Sequence, residues 1–318
     1  LFEIIKQLKS QGIAIIYITH RIQEILDIAD EVTVLRDGKH ISTMPISEVT
    51  EKKLIKLMIG RELNDIFLRE KNPLDEVLLE VKNLYREGIF EPISFKVHRG
   101  EVLGFSGLIG ARRTEIMRCL FGLDKPDGGD IYILGKKIEI NSPMDAIHQG
   151  LVYVSEDRRR EGIIPLMTVR ENIALPSLLW ITVLGWINKK KELSLANKYI
   201  NDLEIRTPST EQLISNLSGG NQQKVCLGKW LARGPRVIIM DEPTRGIDVG
   251  AKSEIHKIIS ELSKQKMAVI LISSEMAEII NASDRIIVLY KGKMMAELPC
   301  DKDLTQETIM TAASGIMI

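Results

Sequence analysis

Short apolar runs recur along the chain and alternate with stretches whose apolar residues follow helical spacing. Four of these runs lie at 102–105, 151–154, 237–240 and 269–272. Strands that are apolar at nearly every position are typical of parallel sheets covered by helices on both faces. The pattern therefore predicts an α/β fold with a mainly parallel core sheet.

A second β region is indicated ahead of the first of these runs. Leu78–Val81 and Ile93–Val97 have the composition of strands, and a turn at Gly88 separates them. Neighbouring strands joined by a short turn pair in antiparallel fashion. We therefore expect an antiparallel β subdomain here.

The segment from about 165 to 233 predicts a helical subdomain. It opens with Thr168 and Glu171, a spacing at which two side chains cap a helix start reciprocally. The stretch from Ile173 to Ile187 is unusually apolar and is followed by three lysines. Burial is the favoured interpretation of this stretch, and a docking surface for a partner's short helix is the alternative.

An internal repeat relates the two ends of the chain. Residues 1–41 align without gaps on residues 255–295, and 14 of the 41 positions are identical. Each copy has the pattern helix, buried strand, helix and hairpin. In the second copy the unit follows a strand ending in Asp241-Glu242, and the first copy has no such strand before it. We therefore interpret 1–65 as the C-terminal remnant of a first domain in a truncated chain, 66–77 as a charged linker and 78–318 as a second domain.

The composition argues against several kinds of partner and site. The chain has 43 basic and 43 acidic residues, so no overall field attracts nucleic acid or anionic lipid. The longest apolar stretch is too short for a spanning helix, so we expect any membrane role to come through a partner. Aromatic residues make up only 5%, which leaves few side chains for base stacking. Cys119, Cys226 and Cys300 are scattered without metal-binding spacing, as reduced thiols would be. We expect no nucleic-acid partner.

Two dense motifs lie between residues 217 and 248. Ser218-Gly219-Gly220 stands at the start of a predicted helix, where free N–H groups and the helix dipole favour an anion. The strand at 237–240 delivers Asp241 and Glu242 to its carboxyl end, where open α/β sheets bind ligands. Asp241 is suited to Mg²⁺, and Glu242 is suited to orienting or deprotonating a water molecule.

These motifs resemble the signature and Walker B–D-loop segments of ATP-binding-cassette ATPases. Gly-Asn-Gln-Gln-Lys at 220–224 and Thr-Arg-Gly-Ile-Asp-Val-Gly-Ala at 244–251 are similar to the second cassette of bacterial ribose/galactose/xylose-type sugar importers. In that family two cassettes are fused in one polypeptide. The resemblance implies a P-loop NTPase cassette for the second domain and a remnant of the first cassette before it. It also assigns Ser218, Gly219, Gly220 and Gln222 to the signature and Asp248 to the D-loop.

Residues 106–114, called the phosphate loop below, lie between a predicted strand and a predicted helix. This context fits a P-loop, but Arg113 replaces the usual lysine and Arg112 replaces the last glycine. Arginine is larger and forked, and Arg112 adds a Cβ where the backbone approaches phosphate, so we expect reduced catalytic competence. A plain strand–helix turn with surface arginines is the alternative. The residues expected at the nucleotide are Ser106, Gly107, Gly110, Ala111, Arg112, Arg113 and Thr114, with Thr114 and Asp241 holding Mg²⁺.

Two further positions depart from the family pattern. Glu156 stands in the Q-loop, where cassettes generally carry a glutamine that contacts Mg²⁺ and senses the membrane partner, although a solvated charged turn is the alternative. Ser274 stands at the switch position, which the first copy fills with His20. Serine lacks the charge and reach with which that histidine contacts the γ-phosphate. The resemblance thus implies catalytic roles for Glu242 and His20, a weak site on the second cassette, and an opposite site combining His20 with the signature.

The resemblance also implies cofactors, partners and a location. The cofactors are ATP and Mg²⁺, and the partners are an integral-membrane sugar permease, a second cassette and, indirectly, an extracytoplasmic sugar-binding protein. The location is peripheral, at the cytoplasmic face of the cell membrane. One alternative is a regulatory nucleotide-binding module without hydrolysis, favoured by Arg112, Arg113 and Ser274. Another is a DNA-repair or chromosome-type cassette ATPase, whose heptad arms or zinc-type cysteines do not occur in the sequence.

Overall fold

The computed structural model of the chain describes residues 1–19, 22–36, 38–59, 73–301 and 303–317. His20 and most of the predicted linker at 66–77 lie outside the described residues. The α-helices are α1 Phe2–Ser10, α2 Ile22–Ile28, α3 Glu51–Ile59, α4 Arg113–Phe121, α5 Pro143–His148, α6 Val169–Ala174, α7 Leu178–Ile181, α8 Lys189–Asp202, α9 Gly219–Leu231, α10 Val249–Lys264, α11 Met276–Ala282 and α12 Gln306–Ala313. The β-strands are β1 Glu31–Arg36, β2 Lys39–Pro45, β3 Val77–Arg86, β4 Phe90–His98, β5 Val102–Gly107, β6 Gly128–Ile133, β7 Lys136–Ile138, β8 Leu151–Val154, β9 Thr182–Val183, β10 Trp186–Ile187, β11 Val237–Asp241, β12 Ala268–Ile272, β13 Arg285–Tyr290 and β14 Lys293–Pro299.

The core sheet is mainly parallel, as the sequence predicts. Its strand order is β14-β13-β5-β12-β11-β8, and only the edge strand β14 runs antiparallel to its neighbour. Every residue of β8, β11 and β12 is buried. A strand enclosed on both faces keeps apolar side chains at consecutive positions, which explains the short apolar runs.

The antiparallel sheet is also confirmed, with the strand order β4-β3-β6-β7. The two predicted strands lie within β3 and β4, which pair antiparallel. Phe95 of β4 meets Phe105 of β5 edge to face, with the ring centroids 5.2 Å apart. This contact packs the antiparallel sheet against the strand that leads into the phosphate loop.

The helical region begins as the sequence predicts. The Thr168 N–H donates to the Glu171 carboxylate at 2.8 Å, and the Glu171 N–H donates to the Thr168 hydroxyl at 3.2 Å. The predicted burial of the apolar stretch is wrong for its second half, where Trp180 and Trp186 are 62% and 81% exposed although Ile181 is buried. There the chain forms a hairpin whose short strands β9 and β10 pair only with each other. Among the described residues, no helix has the length and apolarity that crossing a bilayer requires.

The two copies of the repeat share their helices and hairpin but not their first strand. Both hairpins carry a β-bulge at the equivalent place, between Val34 and Leu35 and between Val288 and Leu289. The buried strand predicted for the first copy is wrong, since its segment at 13–18 has no regular structure and Ile16 and Ile18 are each 93% exposed. Its equivalent β12 lies between β5 and β11, whereas no described strand flanks 13–18. An extended segment without neighbours has no ladder of hydrogen bonds to hold it.

Candidate functional site

Three loops meet at one end of the core sheet because the strands before them are parallel and in register. Phe105 of β5 lies beside Ile272 of β12, and Ile272 lies beside Asp241 of β11. The phosphate loop, the Asp241-Glu242 pair and Ser274 all follow directly from these positions. The sheet therefore brings together the residues that the sequence assigns to one site.

The phosphate loop turns sharply and lies close to its neighbours. Gly107 has φ +155°, and a Cβ there would lie only 2.5 Å from the Leu289 carbonyl oxygen of β13. Ser106 and Ala111 are buried, and the Ala111 N–H donates to the Leu108 carbonyl at 2.9 Å. The crest of the loop is open, since Ile109 is fully exposed. The loop thus combines a fixed base with an accessible backbone.

Arg112 keeps the backbone shape of the glycine that the pattern expects. Its φ of +74° and ψ of 25° lie in the left-handed region, which disfavours residues with a Cβ by roughly 1–2 kcal/mol. Its guanidinium turns outward to the Glu115 carboxylate, with Nη1 and Oε1 2.7 Å apart. The loop therefore retains the expected turn at the expense of local strain.

We expect Arg112→Gly to be more stable than Arg112→Ala by about 1 kcal/mol. Both variants lose the ion pair with Glu115, so the comparison isolates the left-handed backbone. Urea unfolding of the two variants measures the difference. Equal unfolding free energies would show that the loop leaves this conformation readily.

Arg113 joins the three loops directly. Its side chain is only 12% exposed, and its Nη1 donates to the Ser273 carbonyl at 3.1 Å. Its Nη2 lies 3.9 Å from Oε1 of Glu242. The forked guanidinium therefore contacts a switch-loop carbonyl and a carboxylate at the same time, which a lysine ammonium could not do with this geometry.

Asp241 is completely buried below the phosphate loop. Its Oδ2 accepts a hydrogen bond from the Tyr153 hydroxyl at 2.8 Å, while Oδ1 has no hydrogen-bond partner within the described part of the chain. Burial raises the pKa of Asp241, and the nearby hydroxyls of Thr114 and Tyr153 act in the opposite direction. A buried carboxylate oxygen without a partner, next to a threonine hydroxyl, fits a hard divalent cation such as Mg²⁺.

Glu242 has the environment of a group that can exchange a proton near neutral pH. Its Oε2 accepts from the Ser274 hydroxyl at 3.2 Å, and its side chain is 11% exposed. Burial raises the pKa of Glu242 to about 7, and the charge of Arg113 partly counteracts this effect. A carboxyl group with this pKa is suited to general acid–base chemistry.

Glu156 contacts the segment that follows Glu242, while Arg159 and Arg160 in the same charged run are exposed. The Glu156 carboxylate pairs with Arg245. Arg158, which sequence reasoning did not single out, donates to the carbonyls of Arg245 at 3.0 Å and Gly246 at 3.2 Å. The charge run at 156–161 was the only signal for this contact, and it does not reveal which arginine turns inward.

The signature forms a second group, packed against the D-loop. The Ser218 hydroxyl caps α9 by accepting from the Asn221 N–H, and Asp248 caps α10 by accepting from the Ala251 N–H at 2.9 Å. A Cβ on Gly220 would lie 2.5 Å from the Ala251 Cβ, and one on Gly219 would lie 2.7 Å from the Arg158 guanidinium. Gln222 is buried and donates to backbone carbonyls of its own subdomain. Among the described residues, no hydrogen bond links the signature to the phosphate loop.

A buried polar network behind the site was missed by the sequence analysis, which gave His256 no role. Glu278 accepts from Thr244 at 2.8 Å, lies 2.8 Å from Nε2 of His256, and accepts from Ser273. Burial raises the pKa of Glu278, but its contacts with His256 and the two hydroxyls outweigh this and lower it. The network connects the turn after Glu242, the start of the switch loop and helix α10. Only the tertiary fold places these four side chains together.

Comparison with known proteins identifies the family. Residues 90–245 match the family model described as ABC transporter. The ribose import ATP-binding protein of Caldanaerobacter subterraneus is 50% identical over 316 residues, which cover 99% of this chain and 64% of that protein. The xylose import ATP-binding protein of Thermoanaerobacter pseudethanolicus is 48% identical, with the same coverage. A putative ribose/galactose/methyl galactoside import ATP-binding protein of Burkholderia cenocepacia is 48% identical, covering 99% of this chain and 62% of that protein.

The chain therefore spans less than two thirds of the length of these curated relatives. Solved structures show the same fold. A nucleotide-free ATP-binding cassette from an ABC transporter matches with a TM-score of 0.61 and 26% identity, covering 75% of this chain and 95% of that one. A component of an ABC transporter complex from Clostridium perfringens matches with a TM-score of 0.62 and 20% identity, covering 74% and 94%. Motifs, sequence identity and fold agree: residues 90–245 form an ABC transporter domain, and nearly the whole chain is similar to the ATP-binding proteins of sugar importers.

Proposed function

We propose that this chain is part of the ATP-hydrolysing subunit that energises import of a ribose-, galactose- or xylose-type monosaccharide. The names of its relatives support the substrate class. The observation that carries the proposal is the meeting of Arg113, Asp241 and Glu242 at one end of the core sheet. This arrangement combines a cation, a metal-binding carboxylate and a carboxyl group that titrates near neutral pH.

The individual roles follow from this geometry. The backbone of the phosphate loop and Arg113 hold the phosphates of ATP, and Thr114 and Asp241 hold Mg²⁺. When bound, the metal neutralises charge that develops on the phosphates. Glu242 orients a water molecule and accepts its proton, with Ser274 as its hydrogen-bond donor.

The domain arrangement belongs to the same proposal. Residues 1–65 are the C-terminal part of a first cassette, 66–77 a linker and 78–318 a second cassette with a helical subdomain at about 165–233. The shared β-bulge of the two hairpins supports the first of these assignments. The signature Ser218 and His20 then serve the opposite nucleotide site, and Asp248 lies at the interface between cassettes.

The partners are also inferred from the relatives. A sugar permease in the membrane binds near Glu156, and an extracytoplasmic sugar-binding protein acts through that permease. The subunit is then peripheral, at the cytoplasmic face of the membrane. The pairing of Glu156 with Arg245 supports a path from this surface to the segment after Glu242.

One alternative has a specific observation in its favour. The strained Arg112, the Arg113–Glu242 contact and the serine at position 274 all depart from a fully active cassette. A cassette of this kind can bind nucleotide and regulate its partner without hydrolysing ATP. The retained Glu242, with its pKa near 7, favours hydrolysis instead.

ATP turnover separates the two functions. We expect the chain joined to a complete first cassette to hydrolyse ATP, and Glu242→Gln to lower its turnover, because the glutamine cannot accept a proton. Glu307→Gln on the exposed face of α12 is the matched control, since it makes the same chemical change away from the site and should leave turnover unchanged. If the Glu242→Gln protein turns over ATP at the unchanged rate, hydrolysis belongs to the first cassette alone and this one is regulatory.

A further inference from the structure

An exposed apolar hairpin lies in the helical region, outside the nucleotide site. Together with the end of helix α7 before it, the hairpin comprises residues 179–187, and four large side chains of this segment are mostly exposed. Residues of this size are normally buried, and a contiguous exposed group of them marks an interaction surface. The four side chains are Leu179 (77% exposed), Trp180 (62%), Leu184 (95%) and Trp186 (81%).

The hairpin is an ordered feature with a fixed base. The Asn188 N–H donates to the Ile181 carbonyl at 3.0 Å, and the Thr182 hydroxyl donates to the Leu178 carbonyl. Leu184 and Gly185 form the two-residue turn, and both have positive φ, at +51° and +83°. Positive φ at both positions is the geometry of tight hairpin turns. The turn therefore holds Leu184 and Trp186 at the tip of a defined protrusion.

The surroundings of the hairpin are basic. Lys189, Lys190 and Lys191 follow it directly and are exposed, and no acidic residue occurs between positions 171 and 192. The flanking Glu192 is buried and paired with Arg170. Arg233 lies over the Trp180 ring, 3.6 Å from its centroid, but is itself buried, so the exposed positive charge comes from the three lysines.

We propose that this hairpin inserts into the interfacial region of an anionic lipid bilayer. Tryptophan and leucine favour the boundary between headgroups and acyl chains, and clustered lysines are attracted to anionic headgroups. The hairpin is a protruding tip and not a groove, so a bilayer can accommodate it without a complementary protein surface. The chain would then contact the membrane directly, in addition to any contact through a permease, and independently of nucleotide chemistry.

The test is co-sedimentation of the chain with vesicles. We expect binding to vesicles of phosphatidylcholine with phosphatidylglycerol, weaker binding to phosphatidylcholine alone, and weakening by added salt. Changing Lys189, Lys190 and Lys191 to glutamine should weaken binding to the anionic vesicles by about fivefold per lysine. Leu184→Ser with Trp186→Ser should abolish binding and the blue shift of tryptophan emission that accompanies it.

The chain offers a matched control in the β6–β7 hairpin. Leu134 and Gly135 there form a turn with the same backbone signs, with φ of +51° and +72°, and Leu134 is 40% exposed. The neighbouring Lys137 is paired with Asp130 and Lys136 is exposed, so this tip also has basic neighbours but carries no tryptophan. Leu134→Ser should leave vesicle binding unchanged. If the chain fails to bind anionic vesicles, or if the Leu184 and Trp186 changes leave binding intact, the proposal is wrong and the hairpin is a surface for a protein partner.

Discussion

Replacing Asp241 by asparagine is expected to weaken magnesium-dependent binding of ATP by about 100-fold, the upper end of what changes around metal ligands cost. Asp241 is completely buried and its Oδ1 has no hydrogen-bond partner among the described residues. Asparagine keeps the size and can still accept from Tyr153, but it removes the negative charge that a divalent cation requires. Titration with a fluorescent ATP analogue, in Mg²⁺ and in EDTA, measures the effect.

The comparison between the two conditions separates metal binding from damage to the fold. Binding in EDTA should change little, because the phosphate loop and Arg113 do not depend on the carboxylate charge for their backbone geometry. Tyr153→Phe is the matched control, since it removes the hydrogen bond to Oδ2 and leaves the carboxylate in place. An equal loss of affinity with and without Mg²⁺ would contradict the assignment of Asp241 to the metal.

The pH dependence of stability should report the unusual environment of Glu242. Its pKa is about 7 in the folded chain, against an ordinary value of 4.5. Between these two pH values the Glu242 carboxyl group is already ionised in the unfolded chain but stays protonated in the folded chain. The contribution of Glu242 to the free energy of unfolding therefore falls as pH rises through this window, by about 3 kcal/mol in total. Below pH 4.5 and above pH 7 it should be flat.

Glu242→Gln isolates this contribution. The variant cannot ionise, so the wild type should lose about 3 kcal/mol of stability relative to it between pH 4.5 and 7.5. Urea unfolding of both proteins across this range measures the difference, and Glu307→Gln on the exposed face of α12 serves as the control. A difference that stays constant with pH would show that Glu242 is ionised throughout, and its role as a proton acceptor near neutral pH would have to be abandoned.

Glu242 also shows why the pKa of a residue in this site could not be derived from the motif alone. The sequence places it one residue after Asp241 at the end of a buried strand. Its pKa depends on burial and on Arg113, which lies 129 positions earlier in the chain. The hydrogen bond from Tyr153 to Asp241 also depends on the tertiary fold, because no motif indicates Tyr153.

Predictions from the local sequence pattern are wrong where the exposure of a segment depends on the elements beside it in the fold. Residues 13–18 and 268–272 have similar apolar sequences, yet only the second segment forms a strand, because only it has strands on both sides. The composition of the stretch at 173–187 favours burial, yet its second half contains the exposed hairpin. Composition records which residues favour burial, but the available partners decide whether burial takes place.

The sequence by itself determined the parallel core sheet, the antiparallel sheet, the capped helix at Thr168 and the family, because each of these depends on residue types at short, fixed spacings. It also determined that the phosphate loop, Asp241 and Ser274 share one site, because parallel strands end at the same edge of a sheet. Only the tertiary structure decided that Arg113 spans the loops, that Arg158 holds the D-loop segment and that His256 joins a buried network. These contacts connect residues far apart in the chain, and their distances and protonation depend on packing that no local pattern contains.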